Sequence, residues 1–271
     1  MNRAVLGLFV RKEFRDLRSN RQLWPAFFLL PAVSIFLPLL LLALLPLLGD
    51  PARLGHDAGI DLLIQTVAND PTLRGDSLQE RIARLLLRDL GLFYLLVGVI
   101  LASGAAALAL VREKEQRTLE PILATPIRDR DLLLAKLLAA IGPALLVAWG
   151  SAFAGSMTGL IAGYWRTGKL ILPTAGNLVG WLLLAPALAI LAALAALRVS
   201  ARFTDVPGAT QFTGLVVLPL SLIFVALLGR PAMASPLVGI AGSALVGLLS
   251  VWLFNGNARR FKREEILTRW R

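Results

Sequence analysis

Six long runs without a charged residue govern what this sequence can fold into: 23–48, 90–111, 137–163, 178–197, 212–228 and 237–254. A helix rises about 1.5 Å per residue, so roughly 20 apolar residues cross a hydrocarbon core. In lipid every backbone polar group must find its partner inside the protein, which leaves helices or a closed barrel. Runs of this length select helices. The expected fold is an all-α membrane protein with six transmembrane helices. Composition agrees: 57% of residues are hydrophobic, against about 45–50% in soluble domains. The first run carries Pro25, Pro31, Pro38 and Pro46, so kinks are expected, with neighbours satisfying the freed carbonyls.

The charge of +11 invites a nucleic-acid reading, but its distribution excludes one. The basic residues border the apolar runs and form no stripe interleaved with aromatics. Twenty of the 28 lie in the N-terminal segment, 112–136, 198–202 and the C-terminal tail; eight lie in the alternate loops. That asymmetry predicts a multi-pass protein with both termini cytoplasmic. Lys136, just before the third run, is expected to snorkel to the interface.

Two segments outside the runs read as amphipathic helices. Residues 1–21 place Leu6, Val10, Phe14 and Leu17 on one face, with Arg11, Lys12, Arg15 and Arg18 elsewhere. This pattern suits an anionic membrane surface or the face of another protein. The outer loop 49–89 contains Ser77 and Glu80 spaced as a capping box, followed by an apolar face of Leu78, Ile82, Leu85 and Leu86. It predicts a helix on the outer surface leading into the second span. Small residues recur every four positions at Ser151, Gly155, Gly159 and Gly163, and again at Gly239, Ser243 and Gly247. Such rows let helix backbones approach closely; the first is read as a packing face, while the second is equally compatible with chance in a chain holding 23 glycines.

The chemistry the chain lacks narrows its function. With no cysteine and one histidine, His56, it has no disulfide, thiol nucleophile or metal site to offer. No run contains Asp, Glu, Lys, Arg or His. Ion-coupled carriers usually keep such groups at membrane depth, and so do intramembrane enzymes. No catalytic pair and no cofactor site is expected in this chain. Gly163, Gly168 and Lys169 fall at P-loop spacing, but Leu170 stands where a hydroxyl should meet magnesium, and the topology puts the segment outside the cell.

The densest signal is the loop 112–136 between the second and third spans. Glu113, Glu115, Thr118, Leu119, Glu120, Pro121, Leu123, Thr125 and Pro126 are followed by Leu132, Leu133, Leu134, Ala135 and Lys136. Thr118 can cap a short helix, Glu120 suits its dipole, and Pro126 ends it. Leu119, Ile122 and Leu123 then form an apolar knob ringed by charge, fit to plug into a protein or to pack on the chain's own N-terminal helix.

This motif resembles the cytoplasmic loop of type-2 ATP-binding-cassette (ABC) transporter permeases, and Arg11, Lys12 and Glu13 resemble the start of that family. Arg117 departs from the family's usual glycine, and Arg128 from a small residue. The resemblance implies that residues 1–21 form a connecting helix and that Glu113, Glu115, Thr118, Leu119, Glu120, Leu123 and Thr125 couple the spans to a cytosolic ABC ATPase subunit. It implies two copies of that ATPase, holding ATP and magnesium, and a second permease chain, identical or related. It further implies an exporter in the plasma (bacterial inner) membrane, moving amphipathic drugs, lipids, glycolipids or peptides, or sodium. An ion-coupled secondary carrier and a structural membrane anchor of a cytosolic complex are the alternatives. Beyond membrane lipid no other partner is expected, and nucleic acid is excluded.

Overall fold

The computed structural model describes residues 7, 10–12, 15, 23–48, 58–73, 75–115, 129–201, 203, 206–227 and 230–260. Among them there is no strand. The long helices are α1 (Trp24–Leu48), α2 (Ala58–Asn69), α3 (Leu78–Glu115), α4 (Asp129–Thr167), α5 (Ala175–Ser200), α6 (Val206–Leu227) and α7 (Pro236–Arg260). Five of them, α1, α3, α4, α5 and α7, are long and apolar enough to cross a membrane. The expected fifth span falls in α6, a helix of 22 residues.

The centre of the bundle is α3, which packs against α1, α4, α5 and α6. Its composition explains that position. Gly98, Ala102, Ala105, Ala106 and Ala107 leave room for neighbours to approach, and all four alanines are buried. Opposite them α4 presents Ala140, Ala144 and Ala148 at intervals of four, also buried. A Cβ on Gly98 would come within 3.3 Å of the Ala148 methyl. Without a hydrophobic drive between helices in lipid, seams of small residues supply the contact. α7 lies at the edge against α5, with Leu237, Leu245, Leu248 and Trp252 exposed, and α1 exposes Phe28, Leu29, Phe36 and Leu40.

The row on α4 meets its neighbours unevenly. A Cβ on Gly155 would sit 2.2 Å from the Tyr94 hydroxyl and 2.7 Å from the Ser34 carbonyl, and one on Gly159 would sit 2.8 Å from Leu87. Gly163 has only ordinary contacts, and Ser151 is buried. On α7, Gly239 lies close to Val179, whereas Gly247 faces open space.

Prolines shape three of the contacts. Pro38 and Pro46 leave the carbonyls of Ser34 and Leu42 without helical donors. Tyr94 Oη lies 3.5 Å from the Ser34 oxygen, and Arg166 Nε donates to Leu42 at 3.2 Å. In α5 residues Gly180–Leu184 form a π turn, and Pro186 cannot close the next bond of that register. The Trp149 indole supplies the missing donor to the Trp181 carbonyl at 2.8 Å.

Two expectations change. The segment following Ser77 does not lie as a separate surface helix; it is the first part of α3, which runs unbroken for 38 residues. At about 1.5 Å per residue that is roughly 57 Å, far more than a hydrocarbon core needs. The Ser77 Oγ does accept from the Glu80 N–H at 3.1 Å, but the Glu80 carboxylate accepts from Asp76 N–H rather than from Ser77. The second change is Lys136, which is 1% exposed and does not snorkel. Helix α2 had no sequence expectation at all. His56 lies outside the described residues.

Candidate coupling junction

At the end of the bundle where α3 stops and α4 begins, three charged residues from three segments meet. Glu113 stands seven residues after Ala106 on α3, which carries it onto the same buried face. Lys136 stands four before Ala140 and so begins the buried row of α4. The apolar seam between the two helices is therefore closed at this end by a carboxylate facing an ammonium. Lys136 Nζ donates to Glu113 Oε2 at 2.6 Å, and Lys12 Nζ donates to Oε1 at 3.0 Å. Glu113 is 5% exposed.

The electrostatics of this arrangement are asymmetric. Lys136 and Glu113 are both removed from water, so each depends on the other. Stripping one partner from a buried pair typically costs about 3–5 kcal/mol, because the remaining charge is left unpaired. The Lys12 side chain is 39% exposed, and an exposed ion pair is worth about 1 kcal/mol or less. Lys12 thus acts as a lighter tie from the N-terminal segment to the end of α3. Gly7, Val10, Arg11, Lys12 and Arg15 are helical, with Arg11 and Arg15 exposed.

Of the coupling residues read from the sequence, Glu113 is buried in this cluster, and Glu115 is exposed on the last turn of α3. Thr118, Leu119, Glu120, Leu123 and Thr125 lie outside the described residues, as does Glu13. Lys136, expected at the interface, is instead buried against Glu113; its interval of four with Ala140, Ala144 and Ala148 was the available signal. The chemistry of the junction is mechanical. Both arms of the 112–136 loop and the N-terminal segment are fastened at one carboxylate, so a displacement of the loop is shared among them.

The opposite end of the bundle holds a second ionic assembly that the sequence reading missed. Arg88 on α3 pairs with Asp70 at 2.5 Å and Asp89 at 3.2 Å, and also donates to the Thr72 hydroxyl. Burial pushes the Asp70 carboxyl up, but hydrogen bonds from Thr72 and Arg88 together outweigh it and hold the group below the ordinary carboxylate range. Lys169 bridges Asp76 and Glu80, and Arg84 donates to Glu80 at 2.8 Å. Donating to the Asp76 and Glu80 carboxylates holds the Lys169 ammonium above its ordinary value. The residues at P-loop spacing belong to this end and close a helix instead of opening one. Gly168 adopts φ +68° just past α4, and its N–H donates to the Tyr164 carbonyl at 2.9 Å. Among the described residues no group of acidic, histidine or cysteine side chains could hold a metal ion.

Comparison with known proteins gives one result. A family model described as "ABC-2 family transporter protein" matches residues 9–241, which takes in Lys12, the junction and four of the five helices long and apolar enough to cross a membrane, and ends near the start of α7. No curated protein and no solved structure matches the chain. The matched region covers most of the 271 residues, and the chain belongs to the ABC-2 family of transporter proteins.

Proposed function

We propose that this chain is the permease subunit of an ABC exporter, forming the translocation pathway and drawing its energy from a separate ATPase subunit. The observation that carries the reading is the Lys12–Glu113–Lys136 cluster. It fastens the N-terminal segment, α3 and α4 around the loop whose motif resembles a coupling helix. In this reading the Glu113 end faces the cytoplasm, with both chain termini, and α6 supplies the sixth crossing. The loop residues Thr118, Leu119, Glu120, Leu123 and Thr125, together with Glu115, seat in the ATPase. Glu113 passes that motion to the helices from within rather than touching the partner. Two ATPase copies and a second permease chain complete the assembly, and ATP and magnesium belong to the partner. The uncharged apolar runs favour an amphipathic substrate over a polar one, and export across a plasma membrane follows from the same family resemblance.

The test is isolation of the chain from its native membrane in mild detergent. An ATP-hydrolysing subunit in 1:1 ratio, lost on combining Glu120→Lys with Leu123→Asp, is the expected result. Repeated isolation of the chain without any ATPase would return the secondary-carrier reading to first place.

A further inference from the structure

Below the ionic assembly at the Arg88 end lies a cavity of about 80 Å³. It is bounded by Arg88 and Tyr94 of α3, Ser156 and Leu160 of α4, and Thr174 and Asn177 at the start of α5. Most polar groups on its wall are occupied. The Ser156 hydroxyl donates to the Ala152 carbonyl, the Thr174 hydroxyl caps α5 by accepting from Asn177 N–H, and Tyr94 is turned toward Ser34. Arg88 carries the one fully buried side-chain polar atom on the described wall that lacks a partner. Its side chain is 2% exposed, its Nε and Nη1 are engaged, and its Nη2 has no hydrogen-bond partner. A buried guanidinium nitrogen without an acceptor is costly, and such orphans mark places where a ligand or water completes the set.

We infer that this cavity receives the oxygen-bearing headgroup of an uncharged amphiphile, with Arg88 Nη2 as the donor that reads it. Charge decides the class. Arg84, Arg88 and Lys169 are each ion-paired, with Asp70, Asp76, Glu80 and Asp89 shared among them, so none of these three cations is left unpaired to draw a phosphate. Size agrees, since the space admits a glycerol or ester group. The walls of Leu87, Leu160, Ile171 and Leu172 suit the first carbons of an acyl chain. The inference adds a ligand site to the permease reading and rests on it only for placing this end at the outer leaflet.

The experiment uses the full chain, without ATPase, in phosphatidylcholine nanodiscs. The probe is a monoacylglycerol carrying a photoreactive group near its headgroup. Crosslinking is expected in peptides spanning 84–94 and 153–160, and unlabelled monoacylglycerol should abolish it. Lysophosphatidic acid, which differs by its phosphate, should compete at least tenfold less well. Arg88→Lys keeps a cation for Asp70 while removing the donor, and Ser156→Phe fills the cavity from the opposite wall; each should lower labelling at least tenfold. Labelling spread over the exposed faces of α1 and α7, without competition and unchanged in both variants, would overturn the site and leave Arg88 Nη2 to water. Equal competition by lysophosphatidic acid would overturn the neutral class. Because no ATPase is present, neither outcome depends on whether the chain is a permease.

Discussion

The Arg166 guanidinium donates to the Leu42 carbonyl, an acceptor that Pro46 four residues later leaves without a helical partner. The same logic joins Tyr94 to Ser34 beneath Pro38, and Trp149 to Trp181 ahead of Pro186. Prolines that would weaken an isolated helix become attachment points between helices, because an unsatisfied carbonyl in lipid calls for a donor from next door. The relationship is testable as a cycle. Arg166→Met should destabilise the protein by about 1–2 kcal/mol through the orphaned carbonyl. Pro46→Ala supplies the missing N–H, so in its presence Arg166→Met should cost about half as much or less. Thermal unfolding in nanodiscs measures both.

At the junction, Lys136→Met should cost about 3–5 kcal/mol, since it removes the buried ammonium that faces the buried Glu113 carboxylate. Lys12→Met should cost about 1 kcal/mol or less. Combining Lys136→Met with Glu113→Leu should recover most of the loss, because the burial penalty leaves with the pair. Unfolding midpoints for the three variants decide the order; equal losses for Lys12→Met and Lys136→Met would contradict the asymmetry.

Along α4 the row of small residues should tolerate bulk in a definite order. Gly155→Ala drives its methyl into the Ser34 backbone and the Tyr94 hydroxyl and should cost about 2 kcal/mol or more, in the range of overpacked cores. Gly159→Ala meets the end of a Leu87 side chain, which can turn aside, and should cost about half that. Gly163→Ala has ordinary contacts and should be close to neutral. The fraction of monodisperse protein recovered after heating ranks the three.

The ionic end of the bundle should respond to acid and not to neutral pH. Asp70 titrates below its ordinary value of 3.8 in the folded protein. A depressed carboxylate stabilises the fold above the unfolded value and loses that contribution as pH falls through the folded one. Stability from the Asp70–Arg88 pair is therefore constant from pH 8 to about 5 and declines below about 4. Asp70→Asn should lower stability across the neutral range and flatten the fall below about pH 4.

How much of this was legible follows from what each signal depends on. The helices could be read because an uncharged run of twenty residues has few other uses. Their ends could not, because α3 and α4 continue as charged helix past the hydrocarbon, where hydropathy stops reporting. The Gly155 row was visible as a spacing, but only its neighbours Tyr94 and Ser34 decide which member is tight. Lys136 looked like an interface lysine because its own segment is charged on one side and apolar on the other; its partner Glu113 lies 23 residues away. Arg88 and Asp70 are 18 apart, and nothing in either segment announces the other. Proline positions were the underused clue, since every freed carbonyl asks for a donor somewhere in the sequence.

The central claim, a cytoplasmic coupling loop seated in an ATPase, can be met directly because the chain has no cysteine. Leu123→Cys would be the single thiol in the protein. In intact cells it should resist a membrane-impermeant maleimide, and in inside-out vesicles it should react. With a short bifunctional maleimide it should crosslink to an ATP-hydrolysing subunit. Labelling of Cys at this position from outside intact cells, with no crosslink to any ATPase, would contradict both the orientation and the coupling role.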